Sequence, residues 1–157
     1  MSGNLIIAMW SGPRNLSTAL MRSFANRADV TKVLDEPFYG AYLRRTKKDH
    51  PMKETVINSQ CSVWNEVIDI CKSSDQDGIT YQKHMTQHLL DNDFSWTANL
   101  CNSCLIRVLI DVLTSFLNLC CHLDYVDMGL SQQIEIFNFI SDKKSKNATG
   151  VDESPVR

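Results

Sequence analysis

The segment LIIAMWSGPRNLSTALMRSF, residues 5–24, changes its period once. Leu5 to Trp10 is a short continuous apolar run, the pattern of a strand buried on both faces. Ser11-Gly12-Pro13 stops it. From Leu16 the apolar positions Leu16, Ala19, Leu20 and Phe24 recur at helical spacing, and the helix is expected to end near Asn26. A doubly buried strand that turns at once into a helix suits a parallel sheet covered on both faces.

The rest of the chain repeats the alternation. Val30 to Leu34 reads as a second strand, closed by Asp35-Glu36-Pro37, because proline cannot continue a central ladder. Phe38 to Arg45 predicts a helical turn or two, and Arg44 to Pro51 a basic linker. Lys53 to Cys71 carries helical period through Val56, Val63, Trp64, Val67 and Ile68. Ser73 to Gly78 is a loop, Ile79 to Lys83 a third strand, and His84 to Leu90 helical. Asn102 to Arg107 is a fourth strand, Asp111 to Leu119 the helix after it. Leu130 to Ile140 is amphipathic, with Ile134, Phe137 and Ile140 expected in the core. Trp10, Trp64 and Trp96 are expected to pack in the core or at its rim. The expected fold is one α/β domain over residues 1–140, a three-layer arrangement of a parallel sheet with helices on both faces. Residues 141–157 form a polar, disordered tail.

A chain of 157 residues, 43% hydrophobic and 22% charged, has material for one core. Its net charge of -2 argues against binding nucleic acid through bulk positive charge. Nothing resembles a signal peptide or reaches the roughly 20 apolar residues of a membrane helix. The protein reads as cytoplasmic, with oligomeric state open. Six cysteines are present, Cys61, Cys71, Cys101, Cys104, Cys120 and Cys121. Without export they read as free thiols. Cys101-x-x-Cys104 lacks two ligands for zinc, with His122 the one candidate nearby. His84 and His88 also have metal-like spacing but no third ligand, so no metal is expected.

The turn between the first strand and its helix sits where α/β sheets hold ligands. A helix N-terminus offers unpaired N–H groups and partial positive charge. Arg14 adds a full charge on a planar fork, and Ser17 and Thr18 add hydroxyl donors. These residues suit a phosphate. Neither GxxxxGK[ST] nor GxGxxG is present, so this is not a standard ATP, GTP or dinucleotide loop. The same residues also fit a helix start with no ligand at all.

SGPRNLSTAL resembles the 5′-phosphosulfate loop of a sulfotransferase-like family with P-loop fold. Asp35 to Tyr39 (DEPFY), YQKHMTQHLL and GLSQQIEIF are similar to the same family. The resemblance implies that Ser11, Gly12, Pro13, Arg14, Asn15, Leu16, Ser17 and Thr18 hold the phosphosulfate of 3′-phosphoadenosine 5′-phosphosulfate (PAPS). It implies that Arg107 and Ser115, eight residues apart, hold the 3′-phosphate. Arg14 would stabilise charge on the leaving phosphate, with Glu36 or His84 as base. The acceptor would be a small molecule carrying a hydroxyl or amine. Val108-Leu109-Ile110 departs from the family's Asp-Pro-Arg, and members carry roughly another hundred residues, so a truncated chain is expected. Two alternatives remain: an inactive nucleotide-binding module and a small-molecule kinase.

Overall fold

The computed structural model describes residues 4–74, 77–118 and 124–148. Four strands, β1 (Leu5–Ser11), β2 (Val30–Asp35), β3 (Ile79–Met85) and β4 (Cys101–Leu105), form one sheet in the order β2-β3-β1-β4. All three pairings are parallel. The helices are α1 (Ser17–Ala25), α2 (Tyr39–Thr46), α3 (Lys53–Ser59), α4 (Trp64–Lys72), α5 (Leu109–Leu117) and α6 (Leu130–Ala148). The expected α/β fold with helices on both faces is what the chain adopts.

Strand alternation divides the core. Ala8 and Trp10 of β1 face a cluster built with Ala41 of α2, Val67 and Cys71 of α4, and Ile136 of α6. Met9 faces the other way, onto Met21 of α1 and Tyr81 of β3. The chain crosses from β1 to β2 on the α1 side. It returns through β3 to β4 on the opposite side, as right-handed crossovers require. Trp10 is fully buried, and Trp64 and Trp96 pack against the same cluster, as expected.

Several boundaries differ from the sequence reading. The helical pattern from Lys53 to Cys71 belongs to two helices, separated by Gln60–Val63. β3 runs on to Met85, because its residues pair in register with β1 as far as Ser11↔Met85. Only a 3-10 turn, Thr86–His88, follows it. β4 stops at Leu105, leaving Arg107 in the connection to α5. Ile134 and Phe137 are 59% and 56% exposed, and the core position of α6 is Ile136. α6 itself continues beyond Ser141 to Ala148. Cys120, Cys121 and His122, and the tail after Ala148, lie outside the described residues.

Cys101 and Cys104 stand three positions apart on β4, which places them on opposite faces, about 10 Å apart at the usual strand rise. A disulfide needs Cα atoms within about 7 Å. Both thiols are free, as are those of Cys61 and Cys71. Burial pushes the Cys71 thiol up to about 12 and raises that of Cys104, which keeps both protonated. Among the described residues no cluster of His, Cys, Asp or Glu has metal-site geometry, and no helix is long and apolar enough to cross a membrane.

Candidate anion-binding site

β1 lies inside the sheet, and its C-terminal end delivers Gly12–Leu16 to the sheet's carboxyl edge. Two residues of this loop adopt left-handed backbone, Arg14 (φ 64°) and Leu16 (φ 62°). Leu16 is the N-cap of α1 and supplies no side-chain cap. The leading N–H groups of α1 are therefore left open toward the loop, the arrangement that attracts anions.

Six of the residues singled out in the sequence meet there. A cavity of about 230 Å³ is lined by Arg14, Leu16, Ser17, Thr18, Ala19, Arg107 and Ser115. Arg14 Nε donates to Ser115 Oγ (2.9 Å), so the loop cation and the α5 hydroxyl share one wall. Arg107 Nη1 donates to the Arg14 carbonyl (3.1 Å), which pins the strained residue. The carboxylate facing this pair is Asp111, 3.8 Å from Arg107 Nε and exposed. Two guanidinium groups and three hydroxyls thus converge on one concavity. The sequence reading assigned them to separate phosphate subsites.

The other loop residues support this wall from behind. Ser11, Gly12, Pro13 and Asn15 are buried and do not line the cavity. A Cβ on Gly12 would stand 2.6 Å from the Met128 carbonyl, so only glycine lets the loop close against the turn before α6. Thr86 Oγ1 donates to the Gly129 carbonyl (2.8 Å), with the Ser11 carbonyl at 3.3 Å.

Glu36 lies at the same sheet edge but at the end of β2, two strand positions from β1, or about 10 Å sideways. Its Oε1 is 2.7 Å from Lys83 Nζ, which also reaches Asp35 Oδ1 at 2.8 Å. Lys83 is only 4% exposed. Burial pulls its ammonium down, but the hydrogen bonds it donates to both carboxylates outweigh that, and the group sits above the ordinary lysine value. The sequence reading ended the third strand at Lys83 and assigned that residue no site role. The signal was the carboxylate pair at the end of the neighbouring strand.

His84 does not belong to the site. It is buried, stacks on Trp10 at 4.2 Å, and its Nε2 meets Gln82 Oε1 at 2.9 Å. Because β3 extends to Met85, alternation points this ring into the core cluster. Burial lowers its pKa to about 3. A proton acceptor must touch the group it deprotonates, and core packing walls this one in. His88 takes a different position, at the end of the turn, stacked on Tyr39 at 4.8 Å. Its Nδ1 has no protein partner. Burial, then the charges of Lys83 and His50, lower its pKa to about 3, so the ring is neutral, and at 3% exposure it is walled in much as His84 is. Reading β3 two residues too short hid this difference between the two histidines.

Comparison with known proteins identifies the family. The sequence profile of the family described as "Sulfotransferase domain" matches residues 5–152. The chain is 33% identical over 139 residues to "Branched-chain-amino-acid aminotransferase-like protein 1" of Arabidopsis thaliana, covering 85% of this chain and 24% of that protein. It is 34% identical over 136 residues to "Branched-chain-amino-acid aminotransferase-like protein 2" of the same plant, with the same coverage. The chain therefore spans about a quarter of the length of these curated relatives. No solved structure gives a significant match.

Proposed function

Because the chain belongs to the sulfotransferase domain family, we propose that it binds PAPS and transfers its sulfonate to a hydroxyl or amine acceptor. One observation carries the reading: Arg14, Arg107, Ser115, Ser17 and Thr18 line a single cavity at an open helix N-terminus. The acceptor oxygen or nitrogen forms a bond to sulfur. The bond from sulfur to the phosphate oxygen breaks, and that oxygen keeps the electron pair. Arg14 and the amide groups of α1 stabilise the charge gathering there. A residue at the carboxyl edge takes the acceptor's proton. Glu36, whose side chain is 25% exposed at that edge, is the candidate. Its carboxylate is held by Lys83. The four free thiols among the described residues suit a reducing, cytoplasmic setting.

A second reading rests on α5. Val108, Leu109 and Ile110 expose apolar side chains at its start, where the family's Asp-Pro-Arg would add a cation. That favours a nucleotide-binding module without transfer. Thermal stability measured with PAPS, its desulfonated product and ATP with magnesium separates the possibilities, since a ligand selective for the folded state raises the melting temperature. Stabilisation by the first two and not by ATP is expected. Stabilisation by ATP alone would favour a kinase, and no response to any would overturn the site. Turnover of labelled PAPS then divides enzyme from binder.

A further inference from the structure

The sheet has two edges, and the chain treats them differently. β2, at one edge, carries Lys32 and has an irregular register on β3 between Val30 and Lys32. A lysine and a bulge are devices that keep an edge strand from pairing further. β4, at the other edge, reads Cys101-Asn102-Ser103-Cys104-Leu105, with no charge, no proline and an unbroken register on β1. Among the described residues nothing pairs with its outer side.

An apolar groove lies along that bare edge. It has a volume of about 480 Å³ and is lined by Asn102 and Cys104 of β4, by Ile106, and by Leu130, Ile134 and Phe137 of α6. None of the residues lining it is charged, the composition of a contact core rather than of a solvated face. Ile106, Leu109, Ile134 and Phe137 are each more than half exposed. Leu109 joins the patch through a small hollow that it shares with Ile106 and Leu130. Together the four side chains offer on the order of 500 Å² of apolar surface, near the top of the range for the largest patch on a monomer. The open backbone of β4 brings this toward the ~800 Å² per partner of a standard interface.

We propose that this face holds a second copy of the chain, joined β4 to β4 about a twofold axis normal to the sheet. A half-turn about such an axis sets the two β4 strands antiparallel, so their free N–H and C=O groups pair. Centred on Ser103, the middle of the strand, the register puts Asn102 opposite Cys104 and Cys101 opposite Leu105. Opposed residues share one face of a sheet, and this register meets that condition. Asn102 accepts from Trp10 Nε1, and Cys104 packs on the cluster that holds Trp10. Leu105, and with it Cys101 by alternation, lies on the other side. The same half-turn keeps both α6 helices on one face, so Phe137 of each copy meets the groove of the other. The proposal does not depend on the sulfonate reading, and its test needs no nucleotide.

Sedimentation equilibrium of the 157-residue chain over a range of concentrations gives the mass, and a dimer is expected. Phe137→Glu should raise the dissociation constant about tenfold or more. Met52→Glu, at an exposed apolar position at the start of α3, should leave it unchanged. Ser103→Cys reads the register. Opposed Cα atoms about 4.5–5.5 Å apart lie within disulfide reach. Mild oxidation should therefore give a covalent dimer that the wild type, whose Cys101 and Cys104 face no thiol, does not form. A monomer at every concentration would overturn the proposal and leave the edge to a segment of a longer chain or to another protein. An assembly larger than two, a dimer indifferent to Phe137→Glu, or a dimer without the Ser103→Cys cross-link would overturn it as well. If Phe137→Glu fails to fold, the wild-type mass and the cross-link decide.

Discussion

Arg14 combines a left-handed backbone with a side chain on the cavity wall. A non-glycine residue in that region costs on the order of 1–3 kcal/mol, and Leu16 repeats the cost two residues later. The fold holds both in place through Arg107 on the Arg14 carbonyl and Asn15 on the Leu105 carbonyl. Strain retained beside an open helix end points to positioning: it turns the guanidinium across the mouth of α1. Arg14→Ala should weaken PAPS binding roughly 10- to 100-fold, the scale of a lost charge-assisted hydrogen bond. Isothermal titration measures it. Ser115→Ala should have a smaller effect, reduced further once Arg14 is already alanine, because Ser115 also acts by holding Arg14 Nε.

At the scale of elements, three backbone segments meet where the loop begins. Ser11 and Gly12 leave β1, Thr86 and Gln87 leave β3, and Met128 and Gly129 lead into α6. Gly12 touches the Met128 carbonyl, and a Cβ on Gly129 would stand 2.5 Å from the Gln87 nitrogen. Gly129 also has φ 62°, where a side chain is strained. Gly129→Ala should therefore lower stability by about 1–3 kcal/mol in urea denaturation. It should also weaken PAPS binding, since the junction supports the loop. An alanine there that leaves both unchanged would show the contact to be incidental. The ion pair between Lys48 and Asp127 ties this junction to the segment after α2.

For the molecule as a whole, two buried histidines set an acid limit. His84 and His88 titrate near 3 when folded, against an ordinary value of 6.5. Below about pH 6.5 the unfolded chain binds more protons than the folded one, so stability falls as pH falls. The contribution is complete above that value and is lost toward pH 3. The slope is about 1.4 kcal/mol per pH unit for each histidine. Urea denaturation between pH 8 and pH 5 should show it, and His84→Phe, which keeps the stack on Trp10, should roughly halve it. A slope unchanged by that substitution would place the titration elsewhere.

The sequence alone determined the α/β alternation, because a change from continuous apolar runs to helical period is a local property of neighbouring residues. It also marked a candidate anion loop, whose cation, hydroxyls and helix start lie within eight residues, and it named Arg107 and Ser115 as a pair. It did not show that these two share a wall with Arg14, because that contact joins residues 101 positions apart and arises only when β4 pairs beside β1. The fate of His84 was likewise tertiary: one added pair in the β3 register fixes which face a side chain takes. Ile134 and Phe137 lie outside the core for a related reason, since periodicity defines an apolar stripe but not what covers it. Burial, and with it each shifted pKa, is set by which elements meet, and that is decided by packing between segments distant in the chain.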